Sequence, residues 1–221
     1  MRIRFRRTWL LVLSGLLLLA GCGGSDHVVV QVQEPGLVGI DDNPVVAVTA
    51  PELRVEYALP GLPGTSFVVS IFSDQPSDGD IAYDPFLNAY TITEGPDRLL
   101  FGVDSLDPNR PEYRAFLDFP LDGSIGDPAI PLDAIIISAE LAISVNFVDF
   151  AATVPVLLDL VQYPLGALGA ADYASIPLAV QRFNLFDFDA GTDVFVDVTA
   201  LMEEAQVRAL ADLQLRLLVA P

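Results

Sequence analysis

Between residues 135 and 147 apolar and polar side chains alternate with a period of two, and this long alternation restricts the fold more than any other feature of the chain. Successive side chains of a β-strand point to opposite faces of the sheet, whereas an α-helix repeats about every 3.6 residues. The even positions include Ser138, Glu140 and Ser144. The segment therefore predicts a half-buried β-strand whose inner face is formed by Ile135, Ile137, Ala139, Leu141, Ile143, Val145 and Phe147.

Shorter alternating runs continue this pattern along the chain. They predict strands at residues 28–33, 45–49, 53–58, 66–72, 98–103, 113–119, 154–160, 194–198 and 213–217. Only one helix is predicted, from Thr199 to about Leu210, with Thr199 as its cap. Many short strands separated by Pro and Gly clusters favour an all-β fold, a jelly-roll-type antiparallel β-sandwich with one short helix near the C-terminus. The cluster at residues 60–64 predicts a boundary between an N-terminal extension (22–62) and a main domain (63–221).

The N-terminus carries the pattern of an export signal. Arg2, Arg4, Arg6 and Arg7 precede an apolar run at residues 9–20, which is shorter than the ~20 residues that span a bilayer. Basic residues followed by a short apolar run are typical of a cleaved signal peptide, which we assign to residues 1–21.

The end of that segment, Leu19-Ala20-Gly21-Cys22, resembles the lipobox of bacterial lipoproteins. The resemblance implies cleavage before Cys22 and acylation of its sulfur, and usually also of the new N-terminus, with palmitate-type chains that would serve as a membrane anchor. In this family an Asp directly after the Cys commonly retains the protein in the inner membrane. Gly23 occupies that position, so the resemblance implies the outer membrane, with both faces of that membrane open.

Charge excludes one large class of partners. The chain has no lysine, and after the signal only seven of its 11 arginines remain against 30 acidic residues, a formal charge of −23. Such a field repels phosphate backbones, so we expect no nucleic-acid binding, and it favours cationic partners. Cys22 is the only cysteine, so no disulfide can form within the chain. The fold must therefore be stabilised by the burial of apolar side chains.

The residue inventory argues against an enzyme. After the signal the chain offers no lysine and no cysteine besides Cys22, and its one histidine, His27, lies close to the predicted lipid. A Ser-His-Asp triad would have to use His27, five residues from the predicted lipid, and a zinc site lacks the Cys and His ligands that it needs. Paired carboxylates of a glycan-active enzyme remain open, because 30 acidic residues supply many pairs.

The order of segments from residue 77 onward resembles the DNRLRE domain, a jelly-roll family of secreted and surface proteins. The matching segments are Ser77-Asp78-Gly79, Leu100-Phe101-Gly102-Val103, residues 114–119, Ile130-Pro131, residues 138–141 and Asp197-Val198-Thr199. The resemblance implies a fold similar to that of carbohydrate-binding modules.

Two kinds of candidate site follow. Calcium takes oxygen ligands only, and jelly-roll modules often hold a structural calcium ion, so we select two acidic clusters: Asp74, Asp78 and Asp80, and Asp187, Asp189 and Asp193. Sugar rings stack on aromatic side chains, and the tyrosines near predicted loops are Tyr83, Tyr90, Tyr163 and Tyr173.

These features together predict a lipid-anchored protein of the cell envelope that is not an enzyme. Its sandwich would act as a surface module for binding or structure, with a polysaccharide as the candidate ligand. Two alternatives stay open, a glycan-active enzyme and an accessory subunit that docks another envelope protein.

Overall fold

The computed structural model describes residues 34–43, 50–124 and 128–220. Within these ranges the chain forms strands β1 (Leu37–Asp41), β2 (Glu52–Ala58), β3 (Ser66–Phe72), β4 (Gly79–Asp84), β5 (Ala89–Glu94), β6 (Arg98–Val103), β7 (Glu112–Pro120), β8 (Ile135–Asp149), β9 (Thr153–Val161), β10 (Ala179–Phe186), β11 (Thr192–Asp197) and β12 (Asp212–Val219), and helix α1 (Thr199–Val207).

All strand pairs are antiparallel, and they form one curled sheet with the order β10-β9-β12-β7-β6-β1-β8-β2-β3. Strand β11 pairs with β8, and the β4–β5 hairpin pairs with β7 through β4. One apolar cluster unites side chains from both halves of this path, such as Leu53 and Leu141 with Leu158 and Leu215. The predicted all-β, jelly-roll-like sandwich with one short helix is confirmed.

Strands were predicted well where the alternation is clear and missed elsewhere. The runs at 53–58, 66–72, 98–103, 113–119, 154–160, 194–198 and 213–217 all lie in or overlap strands, whereas β1, β4, β5 and β10 were not predicted. The predicted strands at 28–33 and 45–49 lie outside the described residues. The structure has no break at residue 62, because β1 lies between β6 and β8, and β2 between β8 and β3.

A β-bulge corrects the predicted inner face of β8. Glu56 pairs with Ser138, but the next residue, Tyr57, pairs with Ile136, so the register shifts by one position there. Because side chains alternate with a period of two, such a shift reverses which side chains point inward. Ile136 is buried, while Ile135 and Ile137, both predicted to be buried, are exposed.

Helix α1 packs against the sandwich through Leu201, Met202 and Ala205, which are buried in the main core. It ends at Val207 rather than near Leu210, and Thr199 is its first residue rather than its cap. The Thr199 hydroxyl oxygen instead accepts a hydrogen bond from the Ala139 N–H at 2.9 Å, which joins the start of the helix to β8.

The β9–β10 connection, residues 162–178, crosses the outer face of the β12–β7 half, and we call it the strap. Gln214 of β12 bonds both the N–H and the carbonyl of Tyr163 in the strap. Arg216, one strand position further along the same face, donates to the carbonyls of Asp172 and Tyr173. The Arg216 guanidinium also forms a buried ion pair with the carboxylate of Asp159 in β9. The strap thereby closes this half of the sandwich to solvent.

Candidate binding face

The opposite outer surface, on the β11-β8-β2-β3 half, is covered by no described segment. We call it the open face, and it consists of Glu52, Arg54, Glu56, Val68, Ser70, Ser138, Glu140, Ala142, Asp193, Phe195 and Asp197. These are the alternate residues of four strands whose other residues, including Leu53, Val69 and Leu141, enter the core. The same alternation that predicts the core thus produces a polar surface behind it.

Cross-strand register sets the order of side chains on the open face. One row reads Asp197, Glu140, Arg54 and Ser70, and the next begins Phe195, Ala142 and Glu52. Neighbouring strands lie about 4.8 Å apart, and alternate residues along a strand about 6.8 Å apart. Acidic, basic, hydroxyl and aromatic groups therefore lie next to one another within an area a few strands wide.

Two adjoining depressions follow these rows. One has a volume of about 390 Å³ and the other about 250 Å³, and both are lined by Arg54, Val68 and Glu140. Thr199 borders the first and Phe195 the second. Because they share three lining residues, the depressions form one shallow groove across the sheet.

The chemistry of this groove is mixed. Arg54 forms none of the ion pairs found among the described residues, so its guanidinium is a donor available at the surface. Two hydrogen bonds from Thr199, from its hydroxyl and its N–H, lower the pKa of Asp197 and keep this carboxylate ionised. Phe195 is 62% exposed, a high value for an aromatic side chain in the middle of a strand. The groove can therefore accept and donate hydrogen bonds and offer a ring for stacking.

Three of the four predicted tyrosines come together, although on another surface. The rings of Tyr83, Tyr90 and Tyr173 lie 5.0 to 5.9 Å apart, centroid to centroid. The Arg114 guanidinium stacks on Tyr173 at 3.9 Å, and its N–H donates to the Tyr173 carbonyl at 2.6 Å. Tyr173 belongs to the strap and is buried. These rings therefore pack mainly on one another and help to hold the strap, while Tyr90 keeps a partly exposed edge.

Tyr163 packs in the same apolar cluster as Tyr173, but its ring is not part of the contacts among Tyr83, Tyr90 and Tyr173. It is buried and packs edge-on against Phe116 with the ring centroids 5.4 Å apart. A ligand at the surface cannot stack on it, so its structure fits a role in packing rather than in sugar binding.

The first predicted calcium cluster contains carboxyls that bond the protein backbone. Asp78 accepts a hydrogen bond from the Asp118 N–H at 2.6 Å, and Asp80 from the Leu100 N–H at 3.1 Å, and both are buried. Asp74 accepts from the Ser77 hydroxyl at 2.7 Å. Asp74, through its N–H, and Asp78, through its carboxylate, both bond the backbone of Asp118, whereas Asp80 bonds the backbone of β6.

The carboxylates of the second predicted cluster also have separate partners. Asp189 accepts from the Phe186 N–H at 2.8 Å and Asp193 from the Ser144 hydroxyl, while Asp187 is exposed. The described residues contain no group of three or more Asp, Glu, His or Cys side chains placed to hold a metal ion. The calcium prediction therefore gains no support from either cluster.

Four carboxyls are buried that the sequence did not mark as buried, namely Asp42, Asp78, Asp80 and Asp118. Burial raises the pKa of Asp42 to about 7, that of Asp118 to about 7 and that of Asp80 to about 6. Burial, with the nearby charge of Asp42, raises the pKa of Asp78 well above its usual value. Asp42 lies just after β1, which the alternation did not reveal, and no local signal distinguishes a buried Asp from one in a solvated turn.

Comparison of the chain with family models, with curated proteins and with solved structures finds no match. The resemblance to the DNRLRE domain therefore rests on the order of short motifs alone. Cys22 and the predicted signal peptide lie outside the described residues. No helix in the described ranges is long and apolar enough to cross a bilayer.

Proposed function

We propose that this protein is a lipid-anchored component of the cell envelope whose sandwich binds a glycan on the open face and does not cleave it. The observation that carries the proposal is the groove around Arg54, which combines a free cation, flanking carboxylates and the exposed ring of Phe195. The anchor is supported by the lipobox-like sequence at Cys22 and by the basic, apolar segment before it.

The groups in the groove suit a ligand rich in hydroxyls. Each sugar hydroxyl can both donate and accept, so it can bond a carboxylate such as Glu140 and a guanidinium such as that of Arg54 at once. A sugar ring also has an apolar face that an exposed aromatic ring can cover. A shallow groove open along the sheet fits a chain better than a small molecule, because small-molecule sites enclose most of the ligand.

The position of the carboxyls with a raised pKa argues for binding without catalysis. Glycoside hydrolysis needs a carboxylic acid of raised pKa placed beside the scissile bond. The carboxyls whose pKa is raised most strongly, Asp42, Asp78, Asp80 and Asp118, are buried and lie off the open face. Asp80 lines a separate depression of about 430 Å³ with Thr93, Arg98 and Tyr113, so a ligand in the groove of the open face does not reach it.

Affinity electrophoresis tests the glycan proposal with the full-length protein in mild detergent. The gels contain xylan, laminarin, mannan or no polysaccharide. We expect retardation in at least one polysaccharide gel, and we expect Phe195→Ala and Arg54→Ala each to weaken it about tenfold or more. Phe86→Ala and Arg182→Ala are the matched controls, because both residues are exposed but lie off the open face.

Retardation that survives both open-face substitutions would contradict the proposed site. Release of shorter sugars from the retarding polysaccharide would overturn the non-enzymatic reading in favour of a glycan-active enzyme. Absence of retardation, together with capture of one envelope protein through the same face, would favour the accessory-subunit alternative.

Metabolic labelling with palmitate tests the anchor. We expect the wild-type protein to be labelled and to remain with the membrane fraction, because two acyl chains give stable attachment. Cys22→Ser should lose both the label and the membrane association. A label that is unchanged in Cys22→Ser would rule out the proposed anchor.

A further inference from the structure

Two turns at one end of the sandwich present apolar side chains to solvent. Asp84 Oδ1 accepts the N–H groups of Phe86 and Leu87 at 2.8 and 2.9 Å, and this fixes the β4–β5 turn. In the β6–β7 loop, Asp104 Oδ1 accepts the Leu106 N–H at 2.9 Å in the same manner. The side chains of Phe86, Leu87 and Leu106 are 81%, 64% and 82% exposed. Ordered turns thus hold large apolar groups in water, which is costly unless something covers them.

The two turns are one structural unit. The Asn109 side-chain amide in the β6–β7 loop donates to Asp84 Oδ2 in the β4–β5 turn at 2.8 Å. A third apolar group, Phe188, lies in the connection that follows β10, at the same end of the strands. We call the surface formed by Phe86, Leu87, Leu106 and Phe188 the apolar end.

The chain that leads from the predicted anchor enters at this end. Glu34 forms an ion pair with Arg110 at 2.7 Å, and Arg110 belongs to the same loop as Leu106. Cys22 precedes Glu34 by 12 residues, which can span at most about 40 Å. A lipid on Cys22 would therefore hold the apolar end within about 40 Å of the bilayer.

Charge limits the kind of bilayer. Asp84, Asp104, Asp107 and Glu112 surround the apolar turns, and the nearby cations Arg110 and Arg114 are paired with Glu34 and Glu112. An acidic rim is repelled by anionic headgroups but not by zwitterionic ones. Apolar tips inside an acidic rim therefore suit a bilayer of zwitterionic lipid.

We propose that the apolar end lies on a zwitterionic bilayer, with Phe86, Leu87 and Leu106 inserted among the headgroups. This inference rests on the proposed lipid anchor and adds an orientation to it. Strands would then stand away from the membrane, and the open face would be exposed at the side of the molecule, within reach of a polymer in the envelope.

Single-tryptophan fluorescence tests this orientation. The only tryptophan of the chain is Trp9, which would be removed with the signal peptide. The lipidated wild-type protein therefore serves as the control without tryptophan fluorescence. Full-length Phe86→Trp is compared with Val207→Trp, which lies on an exposed site at the end of α1, toward the other end of the strands. Both are reconstituted in phosphatidylcholine vesicles with and without brominated acyl chains.

We expect brominated lipid to quench Phe86→Trp about twofold or more, with a blue-shifted emission, and to leave Val207→Trp unchanged. Vesicles that contain phosphatidylglycerol at low salt should give weaker quenching of Phe86→Trp, because of the acidic rim. Stronger quenching there would overturn the zwitterionic assignment.

Flotation with the same vesicles separates the two proposals. If the lipidated protein floats but Phe86→Trp is no more quenched than Val207→Trp, the orientation is wrong and the anchor stands. If palmitate labelling is unchanged in Cys22→Ser, the lipid anchor fails, whatever the fluorescence shows. If Phe86→Trp escapes lipid quenching but is shielded from acrylamide in native membranes, a protein covers the apolar end, and the bilayer proposal is overturned.

Discussion

Buried carboxyls are the most unusual feature at the scale of single residues. Asp42 and Asp78 lie side by side, and among the described residues Oδ2 of each has no other hydrogen-bond partner. One proton held between them satisfies both oxygens, while two ionised carboxylates would repel each other in a medium of low dielectric constant. Burial and mutual repulsion raise the pKa of both carboxyls, so folding favours protonation of this pair.

The pH dependence of stability follows from these carboxyls. Their pKa values in the unfolded chain are near 3.9, and folding raises the pKa of Asp42 and of Asp118 to about 7. Between pH 4 and pH 7 the folded state binds more protons than the unfolded chain. The contribution of these carboxyls to the free energy of unfolding is therefore greatest near pH 4 and falls as pH rises to about 7. We expect the melting temperature to be higher at pH 5 than at pH 8. Equal melting temperatures, measured by circular dichroism at constant ionic strength, would contradict the raised pKa values.

Replacement of Asp78 by asparagine tests the same carboxyl pair directly. The amide that this substitution introduces can keep the hydrogen bond from the Asp118 N–H and donate to Asp42 without a shared proton. We expect Asp78→Asn to stabilise the protein at pH 8 by roughly 1–3 kcal/mol and to flatten the pH dependence. Asp122→Asn is the control, because this exposed carboxyl has a lowered pKa and should show no stabilisation.

The bulge in β8 gives a second test at the residue scale. Leu141 is fully buried in the main core, and Ile137, on the same strand, is 49% exposed because the bulge turns it outward. We expect Leu141→Asp to prevent folding, since an unpaired charge in the core costs several kcal/mol. Ile137→Asp should fold, with a loss of about 1 kcal/mol or less. Thermal unfolding of both variants measures this, and comparable damage from the two would place the bulge elsewhere.

At the scale of elements, the strap distinguishes the two outer surfaces of the sandwich. It covers the β12–β7 half because Gln214 and Arg216, which point outward from β12, are satisfied by its backbone. On the β8–β2 half most of the outward residues are polar, and no described element covers them with a second layer. The difference leaves the open face available to a ligand.

Arg216 is the side chain whose loss should free the strap. It is buried with Asp159, so Arg216→Ala leaves an unpaired charge and removes the bonds to Asp172 and Tyr173. We expect a loss of about 3–5 kcal/mol in the free energy of unfolding and faster amide exchange in residues 162–178. Arg182→Ala, at an exposed site on β10, should change neither. Unchanged exchange in the strap of Arg216→Ala would show that Gln214 and the packed tyrosines hold it alone.

At the scale of the whole molecule, negative charge dominates. A chain with a formal charge of −19, or −23 without the predicted signal peptide, repels itself, and any cation relieves part of that repulsion. Among the described residues no three carboxyls are placed to hold a metal ion, which gives no reason for a preference for calcium.

Melting temperatures in different salts therefore test the calcium prediction. At equal ionic strength we expect calcium chloride and magnesium chloride to raise the melting temperature by the same amount, within about 2 °C. A specific site filled to 100 times its dissociation constant would add about 2.7 kcal/mol, which corresponds to roughly 5–10 °C for a domain of this size. A calcium-specific rise of that size would restore the predicted site, and substitution of Asp187 or Asp80 would then locate it.

The sequence by itself determined the fold class and most of the strands that have one solvent-exposed face and one buried face. Strands β2, β3 and β8 were predicted because alternation is a local property that can be read without knowledge of the partner strand. The polar half of the open face follows from the same alternation, so its residues were visible in the sequence even though their grouping was not.

Tertiary structure alone decided what depends on distant partners. Strand β1 is buried on both faces and β5 is exposed throughout, so neither alternates, and pairing with other strands is what makes them strands. The bulge at Ile136 exists because Tyr57 of β2 fixes the register there. The Asp42–Asp78 pair joins residues 36 positions apart. Register and burial arise from contacts between segments far apart in the chain, and no local pattern encodes them.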